Sequence, residues 1–306
     1  MITNFSLNDN TQKEILKHLE TTSKLLSKVG TELSVTQKES MIYAMPDLGI
    51  AQNGTRMLGG FYTGACYSWS SDVPFVPVDT TVNVCGTAVY RLKRRISPQE
   101  FKQRLDDVMK TRETYLQYAK THLPSQILDS ININDEKNFF WNYNVGNHFV
   151  ILAEQMEGNA ELPAGQYMIV HASAIELKKG NLEYGLYPVE GNWYYDDIKT
   201  IYDDNTNRYL RYISGKKAIK FNRIADMLQV INKDRNAYFC KQVLGELAGE
   251  QIINLSHYGM PTNNAVCIGC QWEQEDFTLL TAPGKDIYLV HPNLTNQNTI
   301  NLNNRE

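Results

Sequence analysis

Four short stretches of the chain each carry one soft or borderline metal ligand: Val82-Asn83-Val84-Cys85-Gly86, Gly146-Asn147-His148, His171-Ala172-Ser173-Ala174 and Ser256-His257-Tyr258. One thiol and three imidazoles form a donor set that zinc, manganese, iron, nickel or copper accepts. No two of the four residues stand at a close ligand spacing such as CxxC or HExxH, so only the fold can gather them. Their neighbours single them out. His148 follows a Gly-Asn turn and opens the apolar run Phe149-Val150-Ile151-Leu152-Ala153, and His171 ends the run Tyr167-Met168-Ile169-Val170. His257 likewise follows Ile252-Ile253-Asn254-Leu255. Side chains at strand ends, beside loops, are where sites are commonly built. Each histidine taken alone reads first as a hydrogen-bonded structural residue; their shared placement shifts the reading towards ligands.

Bulk properties narrow the surroundings of such a site. The chain has 306 residues, 42% of them apolar, enough for a substantial core. A formal net charge of −4 argues against a generally basic nucleic-acid binder and leaves room only for a local patch or a metal to meet a polyanion. No stretch approaches the roughly 18 apolar residues that span a bilayer, so no membrane partner is expected. The start, Met1 to Ser6, has neither a basic segment nor an apolar run. A cytoplasmic protein is expected. Five cysteines at irregular spacings then read as thiols rather than a disulfide framework. Cys267-Ile268-Gly269-Cys270 is a lone CxxC without the second pair a structural zinc needs.

The elements that must position these residues read as an α+β domain over 1–292, with N-terminal helices in 1–40 and a disordered Asn-rich tail over 293–306. Apolar spacing predicts a helix over 11–29. Thr36-Gln37-Lys38-Glu39 resembles a capping box that opens a second short helix ending near Pro46. The run from Gly59 to Tyr67 reads as a strand, and residues 73–92 as two neighbouring buried strands. Arg91, Lys93, Arg94 and Arg95 read as a solvated strand end. Ser97-Pro98-Gln99-Glu100 caps one long helix ending near His122. His18 and His122 are expected at the surface. A helical pattern runs over 208–229 with an interruption at Gly215, another over 238–248, and two strands flank Pro283-Gly284.

In their order along the chain these stretches resemble the RtcB family of RNA-splicing ligases. Met45-Pro46-Asp47 and then Gly59-Gly60 look like the family's MPD-H and GG segments. Asn83-Val84-Cys85-Gly86 is similar to its DIGCG motif, Gly146-Asn147-His148-Phe149 matches GNHF, and His171-Ala172-Ser173-Ala174 is similar to HSGS. Tyr209-Leu210, Ala218 and Phe221-Asn222-Arg223 resemble its YL…A…NR helix, His257-Tyr258 stands where it has HN, and Pro283-Gly284 to Val290 looks like its PGS…YLV strand. The resemblance covers about residues 43–290. It implies a central β-sheet core flanked by helices, and a two-metal manganese site in which Cys85, His148, His171 and His257 are ligands, with Asn83 in the place of the motif's aspartate. It also implies that Asn147 and Ser173 lie beside a bound guanine nucleotide, so GTP and RNA are the expected ligands.

The chain departs from the family pattern at several motifs. Asn83 is an amide where DIGC has a carboxylate, Gly49 replaces the MPD-H histidine, and Ile175 replaces the arginine after HSGS. Cys267-Ile268-Gly269 stands in place of the RKGA lysine segment, and no stretch resembles HGAGR, whose histidine carries the guanylate. The expectation is therefore a divergent RtcB-like metalloprotein acting on RNA ends or related phosphoesters through its Cys/His site, with manganese or zinc. The alternative is a catalytically inactive, RtcB-like binding or structural protein.

Overall fold

The computed structural model describes residues 1–51, 53–130, 141, 143, 146–155, 161–174, 181–272, 277–281 and 287–290. Helix α1 (Asn10–Glu32) forms where the apolar spacing places it. The Asp9 carboxylate accepts from the Gln12 N–H at 2.8 Å, and Ile15, Leu19, Leu25, Leu26 and Val29 are buried along one face. That face packs on a five-stranded sheet of β1 (Ile2–Asn4), β2 (Ser40–Gly49), β3 (Thr63–Trp69), β12 (Ala265–Ile268) and β11 (Tyr258–Thr262), in that spatial order.

A second sheet carries the residues of interest. It is formed by β10 (Ala248–Ser256), β5 (Gly86–Leu92), β7 (Gly165–Ala172) and β6 (Phe149–Gln155), in the order β10-β5-β7-β6, and every neighbouring pair is antiparallel. Both of its faces are covered, so its strands read as continuous apolar runs rather than alternating ones. Ala88, Tyr90, Met168 and Val170 face the main core. Val89, Tyr167, Ile169, Ile253 and Leu255 face the other way, into a smaller cluster that includes Phe277. A three-stranded sheet, β4 (Phe75–Pro77), β9 (Tyr209–Ser214) and β8 (Lys199–Tyr202), and a hairpin of β13 (Thr278–Thr281) and β14 (Ile287–Val290) complete the sheets. The α+β class is as expected, and the hairpin falls where two strands are predicted.

Several local expectations fail for identifiable reasons. Thr36–Glu39 does not open a helix. Residues 33–39 are a connection, and β2 follows because Ile42 and Ala44 are completely buried between β1 and β3. The Gly59-Gly60 pair closes a short helix, α2 (Gly54–Gly59), instead of starting a strand, and β3 begins only at Thr63. The two strands expected side by side in 73–92 belong to different sheets. The helix from Ser97, whose Oγ accepts from the Glu100 N–H at 3.0 Å, breaks at Thr111 into α3 (Pro98–Lys110) and α4 (Arg112–His122), followed by α5 (Ser125–Ser130).

The pattern over 208–229 divides at Gly215. Before it, the buried Leu210 and Tyr212 alternate with the half-buried Tyr209 and Arg211, as a strand allows, and Ile213 is buried as well. At φ +62° Gly215 holds a backbone conformation that side chains resist, and α6 (Lys216–Leu244) starts directly after it. Tyr209-Leu210, expected on a helix, are therefore on β9, and the helix expected over 238–248 is the last part of α6. Arg94 and Arg95 pair with Glu100 at 3.2 Å and Glu154 at 3.1 Å, in keeping with a solvated strand end. His18 is half-buried, with Nδ1 2.6 Å from the Tyr62 hydroxyl, whereas His122 is exposed and stacks on Tyr118. The expected tail over 293–306 and the Pro283-Gly284 turn lie outside the described residues. No helix among the described residues is long and apolar enough to cross a membrane.

The cysteines are not all thiols. Cys66 on β3 and Cys267 on β12 are directly paired across the sheet and form a disulfide that joins positions 201 apart, while Cys85, Cys240 and Cys270 are buried and outside that disulfide. Strand register, invisible in the spacing of the cysteines, decides this. Closing so long a loop restrains the unfolded chain. The Cys66→Ala/Cys267→Ala variant is expected to lose about 2–5 kcal/mol in equilibrium denaturation relative to the oxidised protein. Equal midpoints for the two would show that the bond does not form.

Candidate metal centre

The four-stranded sheet brings the site together by alternation of strand direction. Cys85 immediately precedes β5, His171 lies at the end of β7, His148 immediately precedes β6, and His257 follows the end of β10. Because each strand runs opposite to its neighbour, two strand starts and two strand ends meet at one end of the sheet, one ligand per strand. The registers confirm the level: Ser256 pairs with Gly86, Gly86 with Ala172, and His171 with both Thr87 and Phe149. The His257 backbone N–H donates to the Cys85 carbonyl at 3.0 Å.

Among the described residues Cys85, His148 and His171 form a buried group whose candidate ligand atoms all lie within 4.8 Å of one another. Two bonds of about 2.0–2.3 Å to one cation span at most about 4.6 Å, so the side chains would draw in slightly around it. His257 adjoins this group: its ring stacks on His171 with centroids 4.9 Å apart and planes 19° apart, and the His148 and His171 centroids are 5.6 Å apart. Three of the four predicted ligands thus converge tightly, and the fourth lies against them.

Two histidines are held neutral. Burial, with His257 and His148 nearby, lowers the His171 pKa to about 2. Burial, then His148, lowers that of His257 to about 4. A neutral ring offers a lone pair, and imidazoles crowded in an apolar setting repel added protons but attract a cation that all of them can bond. The Thr87 hydroxyl lies 3.3 Å from His171 Nδ1, and the Asn147 amide nitrogen 3.5 Å from its Nε2.

The other predicted residues take supporting positions. Asn83 donates its Nδ2 to Cys85 Sγ at 3.1 Å, and its Oδ1 accepts from the Tyr187 hydroxyl at 3.0 Å. Its amide nitrogen, not its oxygen, therefore faces the sulfur. An N–H donor at sulfur favours the thiolate, the form a metal needs. Ser173 is completely buried two residues past His171, and its carbonyl accepts from Arg235.

The backbone around the ligands is held by residues that sequence reasoning missed. Val84, just before Cys85, has φ +46°, a rare conformation for a β-branched residue. Its carbonyl accepts from Asn232 Nδ2 at 2.9 Å, and the same Nδ2 is 3.2 Å from the Ala172 carbonyl. Asn232 Oδ1 in turn accepts from the Arg235 guanidinium at 2.8 Å. One helix, α6, thus ties the residue before Cys85 to the residue after His171. Gly86 permits this closeness, since a Cβ there would lie 2.7 Å from the Leu255 carbonyl oxygen. The available signal was Asn232, Arg235 and Asn236 lying among the buried apolar positions of a long helix.

Two expected outcomes follow from this geometry. Asn232→Leu keeps the branched shape, in a somewhat larger side chain, but removes the donor to two buried carbonyls, and is expected to cost about 2–4 kcal/mol in chemical denaturation; a change below about 0.5 kcal/mol would show that the clamp is idle. The two depressed histidines make the folded metal-free protein bind protons more weakly than the unfolded chain, whose histidines titrate near 6.5. Their contribution to stability is therefore complete above that pH and is lost as pH falls, through about 4 for His257 and on towards about 2 for His171. Unfolding of the metal-free protein at pH 7 and pH 5 is expected to show a drop of up to about 1.4 kcal/mol per pH unit per histidine, and the His171→Asn/His257→Asn variant a shallower dependence.

The chain matches no known protein-family model, and no curated protein matches its sequence.

Proposed function

We propose that the chain is a metalloprotein in which Cys85, His148, His171 and His257 hold one divalent transition metal, manganese or zinc, and that this centre acts on a phosphoester at an RNA end. The observation that carries the metal half of the reading is the meeting of a thiol and two imidazoles within 4.8 Å, with a third imidazole stacked beside them, at one end of an antiparallel sheet. The RNA half rests on the ordered resemblance to RtcB motifs. A cation in such a site supplies Lewis-acid polarisation of a phosphoryl oxygen. The chain's own groups do the rest. Cys85 contributes a thiolate held by the Asn83 amide, Thr87 and Asn147 orient the His171 ring, and Asn147 and Ser173 flank the place where a guanine nucleotide such as GTP would lie.

A second reading, a binding protein that keeps the metal without ligase chemistry, is favoured by one observation. Asn83 is neutral, and both ends of its amide are engaged, by Cys85 and by Tyr187. No carboxylate stands at that position to hold a second cation, so a one-metal centre is the arrangement these residues support.

Elemental analysis of the purified protein separates metal from no metal: about one equivalent of manganese or zinc is expected, and His171→Ala with Cys85→Ser is expected to abolish it. Less than about a tenth of an equivalent, given the affinities of such sites, would remove the centre. Incubation with labelled GTP and manganese then separates the two readings, since covalent label on the protein belongs only to the ligase.

A further inference from the structure

Over the ring of Tyr258, the residue after His257, stands a cation that forms no ion pair among the described residues. Arg56 lies on α2, whose first turn is capped by the Asn53 side chain and whose last turn is closed by the Phe61 N–H on the Arg56 carbonyl at 2.8 Å, so its backbone is fixed. Its guanidinium carbon sits 5.2 Å from the centroid of the Tyr258 ring, and Nη2 donates to Thr63 Oγ1 at 3.4 Å. Nη1 is buried and has no hydrogen-bond partner among the described residues. None of the ion pairs among those residues includes Arg56.

Tyr258, the ring beneath the guanidinium, is tied to the centre. It follows His257, its N–H lies 3.4 Å from the Cys85 carbonyl oxygen, and its hydroxyl donates to the Thr80 carbonyl at 2.5 Å. A second link runs from Asn53, at the start of α2, through Thr81 Oγ1 to the Tyr258 hydroxyl. Arg56 is therefore held by its helix and by its contact with Tyr258, the first residue of β11 and the neighbour of His257. A buried guanidinium N–H with no acceptor is costly, and the planar fork of arginine suits the paired oxygens of a phosphate.

We propose that Arg56 is the anion-binding arm of the centre, receiving a non-bridging oxygen of a phosphate monoester whose other oxygen contacts the metal held by Cys85, His148, His171 and His257. This rests on the metal centre proposed above and adds a recognised group, a terminal phosphate, and the residue that selects it. The phosphate is that of a free nucleotide or of a polynucleotide end.

The test uses the full chain loaded with cobalt(II), whose visible absorption reports a change in coordination. Inorganic phosphate is titrated first, then a nucleoside monophosphate and a short oligoribonucleotide with a terminal phosphate. Arg56→Met and Arg56→Lys are both expected to take up cobalt at the wild-type stoichiometry. Arg56→Met is expected to bind phosphate about tenfold or more weakly, while Arg56→Lys, which keeps the charge and loses the fork, falls between. Should Arg56→Met not fold, the Arg56→Lys loss alone carries the comparison. Whichever nucleotide probe binds more tightly names the source of the phosphate, and a loss in the variants supports the assignment in either case. Cobalt bound with phosphate affinity absent, or unchanged in the variants, overturns the role of Arg56 and leaves the metal centre standing. Failure to bind cobalt overturns both.

Discussion

The site depends on the reversal of direction between hydrogen-bonded neighbours in the sheet β10-β5-β7-β6. Antiparallel strands spaced about 4.8 Å apart place the end of one beside the start of the next. Four side chains from positions 85, 148, 171 and 257 can then share one end of the sheet although no two are close in sequence. A one-residue slip in any register would turn that strand's side chains to the other face, removing its donor and exposing its apolar residues together. Burial on both faces of the sheet therefore protects the site as well as the fold.

The ends of strands are also where backbone groups run out of partners, and the molecule meets this with α6. Asn232 and Arg235 lie on the buried side of a helix otherwise packed through Phe221, Ile224, Leu228 and Phe239, and they satisfy carbonyls at Val84, Ala172 and Ser173. Polar groups at such depth are costly unless bonded, and here they bond the backbone flanking two ligands. The left-handed Val84 is held inside that arrangement, so local strain is offset by contacts from a distant element.

A gradient of supporting groups surrounds the donors. Asn83, held by Tyr187, reaches the sulfur, Thr87 and Asn147 reach the His171 ring, and Tyr258 links His257 to the guanidinium of Arg56. These neighbours come from strands, from α2 and from connecting segments. The surroundings of this Cys/His group are thus set by residues whose roles none of the short motifs states.

Much of this was legible in the chain. Residue type fixed the donors, since thiol and imidazole are soft ligands wherever they fall, and the apolar runs ending at His171 and preceding His257 marked strand ends. The helix over 10–32 and the Ser97 cap follow from local periodicity and capping, which act within a few residues. Tertiary structure decided what depends on partners distant in sequence. Ser40–Gly49 is a strand because β1 and β3 flank it, despite a capping-box sequence just before it. Cys66 and Cys267 bond because β3 and β12 are in register. Asn83 faces the sulfur with its nitrogen because Tyr187, over a hundred positions away, occupies its oxygen. Side-chain identity sets what a residue can do, but pairing and burial, summed over the whole molecule, set which of those capacities meet.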